Sequence, residues 1–320
     1  MQPEPRKSVV RNAFPASMHQ PINAISARDR LIALNESRDE ARVVAISRVV
    51  VFASDEVPGR RKQPTRGVTP NAGIEAAYRR RLDTMIGEMA GSTLYWIRAA
   101  YRKDPPRMAE DASPADVLQS VVSQLAKRWQ KKFNTLSDEL AVYFADSVEK
   151  RSSEQLKRIL KDAGWTVPMT LTPAQRDVLD ATVNQNVGLI RSIPEKYFTE
   201  IEGAVMRSVQ TGRDLKQLTD DIEKQTGVTR RRAAFIARDQ SNKATAAMSR
   251  AKQVEVGITE GVWKHSSAGK TYRPEHVKMN GKTFDLSEGM YDSVEGRYVL
   301  PGELINCRCG WVPKIPGFTY

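Results

Sequence analysis

A long apolar stripe with helical spacing most constrains how this 320-residue chain can fold. Between residues 117 and 144, large apolar side chains recur every three or four positions, which places them on one face of a helix. A stripe this long predicts either a helical bundle or extended helices. The stripe consists of Val117, Val121, Leu125, Trp129, Phe133, Leu136, Leu140 and Phe144.

Further helices are expected on both sides of the stripe. Residues 71–102 have helical spacing and are followed by Asp104-Pro105-Pro106, where proline removes a donor and blocks the preceding turn. Ser113-Pro114 supplies a cap and a first-turn proline for the stripe helix. A separate helix is predicted from Ser152 to Ala163.

Beyond residue 171, proline and glycine predict several shorter helices. Thr172-Pro173 begins one, and Ile193-Pro194 is expected to break or kink it. Gly227 is predicted to end the helix that begins at Asp214, and Thr229 to cap a last helix that runs to Gly257.

The stretch from Trp263 to Pro313 differs from the rest in composition. It contains two of the three histidines, both cysteines and two of the five tryptophans. Its frequent Gly and Pro predict short strands and tight turns, with Met279-Asn280-Gly281-Lys282 as a type I′ hairpin turn. We expect the strand that contains Trp311 to pair back toward Trp263, with Leu300, Ile305 and Trp311 as apolar anchors and Pro301-Gly302 as the turn.

These patterns predict a mainly α protein with a small α+β C-terminal module. The expected organisation is an N-terminal arm and linker at 1–70, a helical domain at 71–170 and a third domain at 171–320. That third domain would comprise helices at 171–257, a β-rich module at 258–313 and a short tail.

The same C-terminal stretch resembles the phage head morphogenesis family, the minor head proteins of Mu-like tailed phages. The resemblance rests on W-K-H-S-S-A-G-K, R-P-E-H, N-G-K-T-F and P-G-E-L-I-N-C-R-C, together with the upstream I-A-R-D-Q at 236–240. We call the following nine residues the signature: Trp263, Gly269, Arg273, Gly281, Pro301, Asn306, Cys307, Cys309 and Trp311.

The resemblance implies a structural protein of the virion, at or inside the portal vertex of the head, with the portal protein and the major capsid protein as partners. During assembly such a protein would be in the host cytoplasm. The helices show no catalytic spacing, and we expect no catalytic residues and no enzyme activity. A transient scaffold that leaves before maturation is an alternative.

Charge distribution suggests a further partner. The formal net charge is +12. Residues 228–280 contain eleven basic and four acidic residues, a local net charge of +7. Such a segment attracts polyanions, and we expect contact with double-stranded DNA without sequence preference; a solvated basic face is the alternative. The candidate DNA-binding residues are Arg230, Arg231, Arg232, Arg238, Lys243, Arg250 and Lys252.

The histidines and cysteines of the stretch allow two interpretations. His265, His276, Cys307 and Cys309 have the donor types of a tetrahedral zinc site. The alternative, which we favour from the sequence, is that the thiols are buried small apolar groups, the histidines bond loop carbonyls, and no cofactor is bound.

The histidines, together with Asn280 or Cys307, also suggest two classes of enzyme. One is a metal-dependent nuclease or hydrolase that acts during packaging. A nuclease would use His265, His276 and Asn280, but the acidic ligand of such sites is not evident. A Cys307–His276 nucleophile pair lacks an identifiable third group to orient the histidine. A membrane partner is not expected, since no run approaches the ~20 apolar residues of a membrane span.

Overall fold

The computed structural model describes residues 66–103, 114–164, 167, 169–211, 214–267 and 272–315. Four long helices occupy most of this length: α1 (Ala72–Lys103), α2 (Pro114–Asp162), α3 (Pro173–Gln210) and α4 (Leu215–Glu255). A small module follows, with the short helix α5 (Pro274–Met279) and the strands β1 (Glu260–Lys264), β2 (Thr283–Asp285), β3 (Met290–Asp292), β4 (Arg297–Val299) and β5 (Gly310–Lys314). The predicted fold class, mainly α with a small α+β C-terminal module, is confirmed.

The four long helices share one apolar core. The stripe of α2 is buried at Leu125, Trp129, Phe133, Leu140 and Phe144, as its spacing predicts. Near the start of α2 the buried positions are instead Leu118 and Val122, one residue later than the predicted Val117 and Val121. Core residues come from helices on both sides of the predicted boundary at residue 171.

Three helices are longer than the sequence predicted. α2 continues through Ser152, α3 continues through Pro194, and α4 continues through Gly227. Proline inside a helix costs ~3 kcal/mol and glycine ~1 kcal/mol relative to alanine, but both flanks of these sites are buried in the core. Packing therefore outweighs the local preference. Thr229 bonds the carbonyl of Gln225 within α4, rather than capping a new helix.

The module contains two antiparallel sheets. The larger sheet has the strand order β2-β1-β5, and β3 pairs with β4 in the smaller. Trp263 lies opposite Trp311 in the β1–β5 register, which confirms the expected pairing, and both indoles are buried. Ile305 was expected to anchor this strand, but it is 62% exposed because it lies in a surface turn.

The turn at Met279-Asn280-Gly281-Lys282 is also different from the prediction. Asn280 has φ −54° and ψ 130°, and Gly281 has φ +78°, which are type II rather than type I′ values. The turn joins α5 to β2, so it is not part of a hairpin. A helix rather than a strand precedes it because Pro274 fits the first turn of α5.

A second apolar core joins the module to the helices. Leu156, Ile159 and Leu160 at the end of α2 pack with Trp263 and Trp311 of the module. The last residues of the predicted linker, 66–70, lie against β5, where the Val68 amide donates to the Trp311 carbonyl at 2.7 Å. The rest of the predicted N-terminal arm lies outside the described residues. Among the described helices, none is both long and apolar enough to cross a membrane.

Candidate functional site

Four donor side chains from three separate segments meet at one edge of the module. His265 follows β1 directly, His276 is in α5, and Cys307 and Cys309 are in the loop before β5. His276 Nδ1 lies 3.5 Å from the sulfur of Cys307 and 3.5 Å from that of Cys309. His265 Nδ1 lies 3.7 Å from the Cys309 sulfur. The sequence named all four residues, and the fold brings them together.

Three of these side chains are buried and closely grouped. The donor atoms of His276, Cys307 and Cys309 all lie within 4.8 Å of one another. The Cys309 thiol donates a hydrogen bond to Cys307, and His276 contributes a second interaction, so the pKa of Cys307 is lowered to about 4 despite its burial. The same pairing and burial raise the pKa of Cys309. The pKa values of the two neighbouring thiols therefore shift in opposite directions.

An aspartate that sequence analysis missed lies behind His276. Asp292 Oδ2 is 3.5 Å from His276 Nε2, and both side chains are almost fully buried. The other carboxylate oxygen accepts from the amides of Val294 and Glu295 at 2.9 and 3.1 Å. Nothing in the sequence separates Asp292 from ordinary turn aspartates, because its contact with His276 depends on how α5 packs against β3.

Helix α4 holds the loop that carries the two cysteines, residues 304–309, which we call the Cys-Arg-Cys loop. The buried carboxylate of Asp239 accepts from the Asn306 amide at 2.5 Å, and the Asn242 side chain donates to the Cys307 carbonyl at 2.9 Å. Asn306 has φ +61°, a left-handed conformation that Asn tolerates better than most residues. The I-A-R-D-Q segment therefore supports the Cys-Arg-Cys loop directly.

Other signature residues also have structural positions around this loop. The Arg273 guanidinium donates to the Ile305 carbonyl at 3.3 Å. Trp311 Nε1 donates to Gln253 of α4 at 2.8 Å. Pro301 is buried, and a Cβ on the next residue, Gly302, would be only 2.8 Å from that of Ala246. Gly269 lies outside the described residues.

A cavity of about 300 Å³ adjoins the four donor residues. Arg273, Tyr272 and Arg308 line it, so it is a polar and basic pocket. Asn280, a member of the nuclease hypothesis, accepts from the backbone amide of His265 and thus positions that segment.

The Cys307–His276–Asp292 order also resembles a nucleophile, a base and an orienting acid. Asp292 supplies the third group that the sequence did not reveal. However, two sulfurs lie equally close to one imidazole nitrogen. A nucleophile needs one thiol beside its base, whereas a metal site needs several convergent donors.

The predicted DNA-binding residues all lie on α4 but differ in exposure. Arg230 and Arg231 are exposed. Arg232 donates to the Ser192 carbonyl and hydroxyl, and Lys243 is paired with Asp239 at 2.9 Å. Arg238 is half-buried near the Phe235 ring.

Lys252 does not reach the surface and is removed from the candidate DNA-binding set. It is 3% exposed, and its ammonium group lies 2.7 Å from Glu149 and 2.5 Å from the hydroxyl of Ser153, both on α2. This ion pair between a buried lysine and a partly exposed glutamate joins α4 to α2. Burial also lowers the pKa of the half-buried Arg250, against the opposing charge of Glu303.

The protein is mainly helical, and its signature residues attach a small Cys- and His-containing module to α4. Residues 199–312 match the family described as Phage Mu protein F like protein, which confirms the resemblance for this region. The match covers about a third of the chain, and it suggests a protein of phage head morphogenesis.

Comparison with known proteins also gives a relative of part of this chain. An uncharacterized protein of Haemophilus influenzae is 33% identical over 144 residues, which is 45% of this chain and 31% of that relative. The matched region thus spans less than a third of the relative's length. No solved structure gives a significant match.

Proposed function

We propose that this protein is a minor structural protein of a tailed-phage head, at or near the portal vertex, and that it contacts packaged DNA. The observation that carries the proposal is the family match over residues 199–312. The signature residues support a structural rather than a catalytic role, because Arg273, Asn306 and Trp311 all make contacts that hold the module together.

Location and partners are tested together with purified particles. The protein should be present in both immature and finished heads, and it should co-purify with the portal protein of the same phage when the two are co-expressed. A scaffold would instead be present in immature heads and absent from finished ones. Presence on finished heads with no portal association would refute the portal location.

DNA contact is proposed for the exposed arginines of α4. Arg230 and Arg231 are exposed to solvent, in contrast to Lys252, which is buried and paired with Glu149. Binding should weaken steeply with salt, since each neutralised phosphate releases counterions.

The test replaces Arg230 and Arg231 with glutamate. Each lost phosphate contact should reduce the salt slope by ~1 and weaken binding to all sequences alike. The matched control is Lys157→Glu with Arg158→Glu, the same charge change at exposed positions of α2. Equal losses in both pairs would show that only net charge matters and would overturn the assignment to α4.

The enzyme alternative is tested with the same protein. We expect no DNA cleavage in the presence of magnesium, manganese or zinc. Cleavage that His265→Ala abolishes would replace the structural proposal with a nuclease.

A further inference from the structure

We propose that His276, Cys307, Cys309 and His265 bind one zinc ion that closes the C-terminal module. The proposal does not depend on the head function, since it rests on the geometry of the module alone. It replaces our sequence-based preference for metal-free buried thiols.

Three nitrogen-to-sulfur distances within the donor group match those of a tetrahedral zinc site. With Zn–N of ~2.1 Å and Zn–S of ~2.3 Å, the tetrahedral edges are about 3.6 Å for nitrogen to sulfur and about 3.8 Å for sulfur to sulfur. The two His276–cysteine distances are both 3.5 Å, and the His265–Cys309 distance is 3.7 Å. Thiolate and imidazole donors favour zinc over magnesium or calcium, which prefer oxygen ligands.

Asp292 provides an independent indication. Its Oδ2 and the facing His276 Nε2 are both buried, and among the described residues neither has a well-aligned hydrogen bond. A histidine that binds metal through Nδ1 presents Nε2–H to the outside of the site, where carboxylates commonly accept it. The 3.5 Å separation of these atoms places the carboxylate where that partner is required.

The loop is held in a conformation that directs both sulfurs to one point. Asp239, Asn242 and Arg273 fix its backbone at Asn306, Cys307 and Ile305 through the contacts described above. A disulfide between cysteines only two positions apart would be strained. The loop is therefore better suited to hold two separate thiolates than a disulfide.

His265 is assigned as the fourth ligand. It lies outside the tight group of three but reaches Cys309, and its backbone amide is anchored by Asn280 at 2.9 Å. Structural zinc sites have four protein ligands. With His265 bound, the ion would connect the end of β1, helix α5 and the Cys-Arg-Cys loop, which are distant in sequence.

The first test is metal analysis of the full-length reduced protein, produced with added zinc and without a metal-binding tag. We expect about one zinc per chain, as a site of four ligands implies. Cobalt substitution should give the absorption bands of tetrahedral thiolate-bound Co²⁺. A folded, reduced protein that takes up neither metal and keeps two alkylatable thiols would overturn the proposal.

Variants then separate ligation from folding. Cys307→Ser with Cys309→Ser should abolish stoichiometric zinc, while far-ultraviolet circular dichroism reports whether the helices remain. Asp292→Asn leaves all four ligands in place and should weaken zinc affinity ~10–100-fold. Tyr272→Phe, in the same cavity, is the matched control and should bind zinc as wild type does. Full zinc affinity in Asp292→Asn would refute the role of the carboxylate.

The assignment of His265 as a ligand is tested with a separate variant. His265→Ala should lower zinc affinity and change the cobalt spectrum, because one nitrogen ligand is replaced by water. Unchanged affinity and spectrum would overturn its assignment as a ligand.

Discussion

Replacing Trp311 tests how the module is fastened to the helices. The indole is 1% exposed, it lies opposite Trp263 across the β1–β5 pair, and its Nε1 donates to Gln253. Truncation of a buried aromatic to alanine costs ~3–5 kcal/mol. Trp311→Ala should therefore destabilise the module by about that amount.

A second variant isolates the hydrogen bond. Trp311→Phe keeps most of the ring but removes the donor to Gln253, whose side chain is buried. An unsatisfied buried acceptor costs ~1–3 kcal/mol, so this variant should show a smaller loss. The control is Trp96→Ala on α1, where the ring is 45% exposed and the change should cost about 0.5 kcal/mol or less.

Hydrogen exchange with mass spectrometry suits this measurement because it reports local opening. At one fixed zinc concentration, peptides that cover β1 and β5 should lose protection in Trp311→Ala, while peptides from the centre of α2 should not. If the strands keep their protection in this variant, the two tryptophans do not form the attachment we describe.

Three further predictions concern other contacts of the module and α4. Gly310→Ala would place a Cβ 2.2 Å from the Val68 carbonyl oxygen, so it should displace residues 66–70 from β5 and increase their hydrogen exchange; unchanged exchange would contradict the close approach. Lys252→Ala leaves the partly exposed carboxylate of Glu149 without its partner and should lower the free energy of unfolding by at most ~3 kcal/mol in urea titrations. Its DNA affinity should equal that of wild type, and weaker DNA binding would restore Lys252 to the candidate DNA-binding set. Asp239→Ala removes the acceptor of the Asn306 amide and should accelerate zinc loss to a chelator, and an unchanged rate would show that α4 does not hold the loop.

Much of the helical body could be predicted from the sequence. Apolar residues three or four apart define a buried helix face whatever covers it, so the stripe from Leu125 to Phe144 was located correctly. The same spacing could not decide whether Pro194 and Gly227 end their helices. That depends on how much apolar surface both flanks bury, and burial is a property of the assembled core.

The sequence also determined which residues carry chemistry in the module. Rare side chains concentrated between Trp263 and Pro313 identified both histidines and both cysteines, and the pairing of the two tryptophan strands followed from the same stretch. The sequence did not determine whether the four donor side chains meet. They come from separate segments, and the conformation of the loops between those segments is not encoded in a local pattern.

Tertiary structure alone decided the surroundings of those donors. Asp292 contacts His276, Asp239 accepts from the Asn306 amide, and Lys252 is paired with Glu149 of α2. All three contacts join segments that are far apart in sequence. A charged residue has the same appearance in a sequence whether it faces solvent or a buried partner. Its role is fixed only when packing determines what lies within a few ångströms of its charge, which is why the basic run on α4 divides into exposed arginines and a buried lysine.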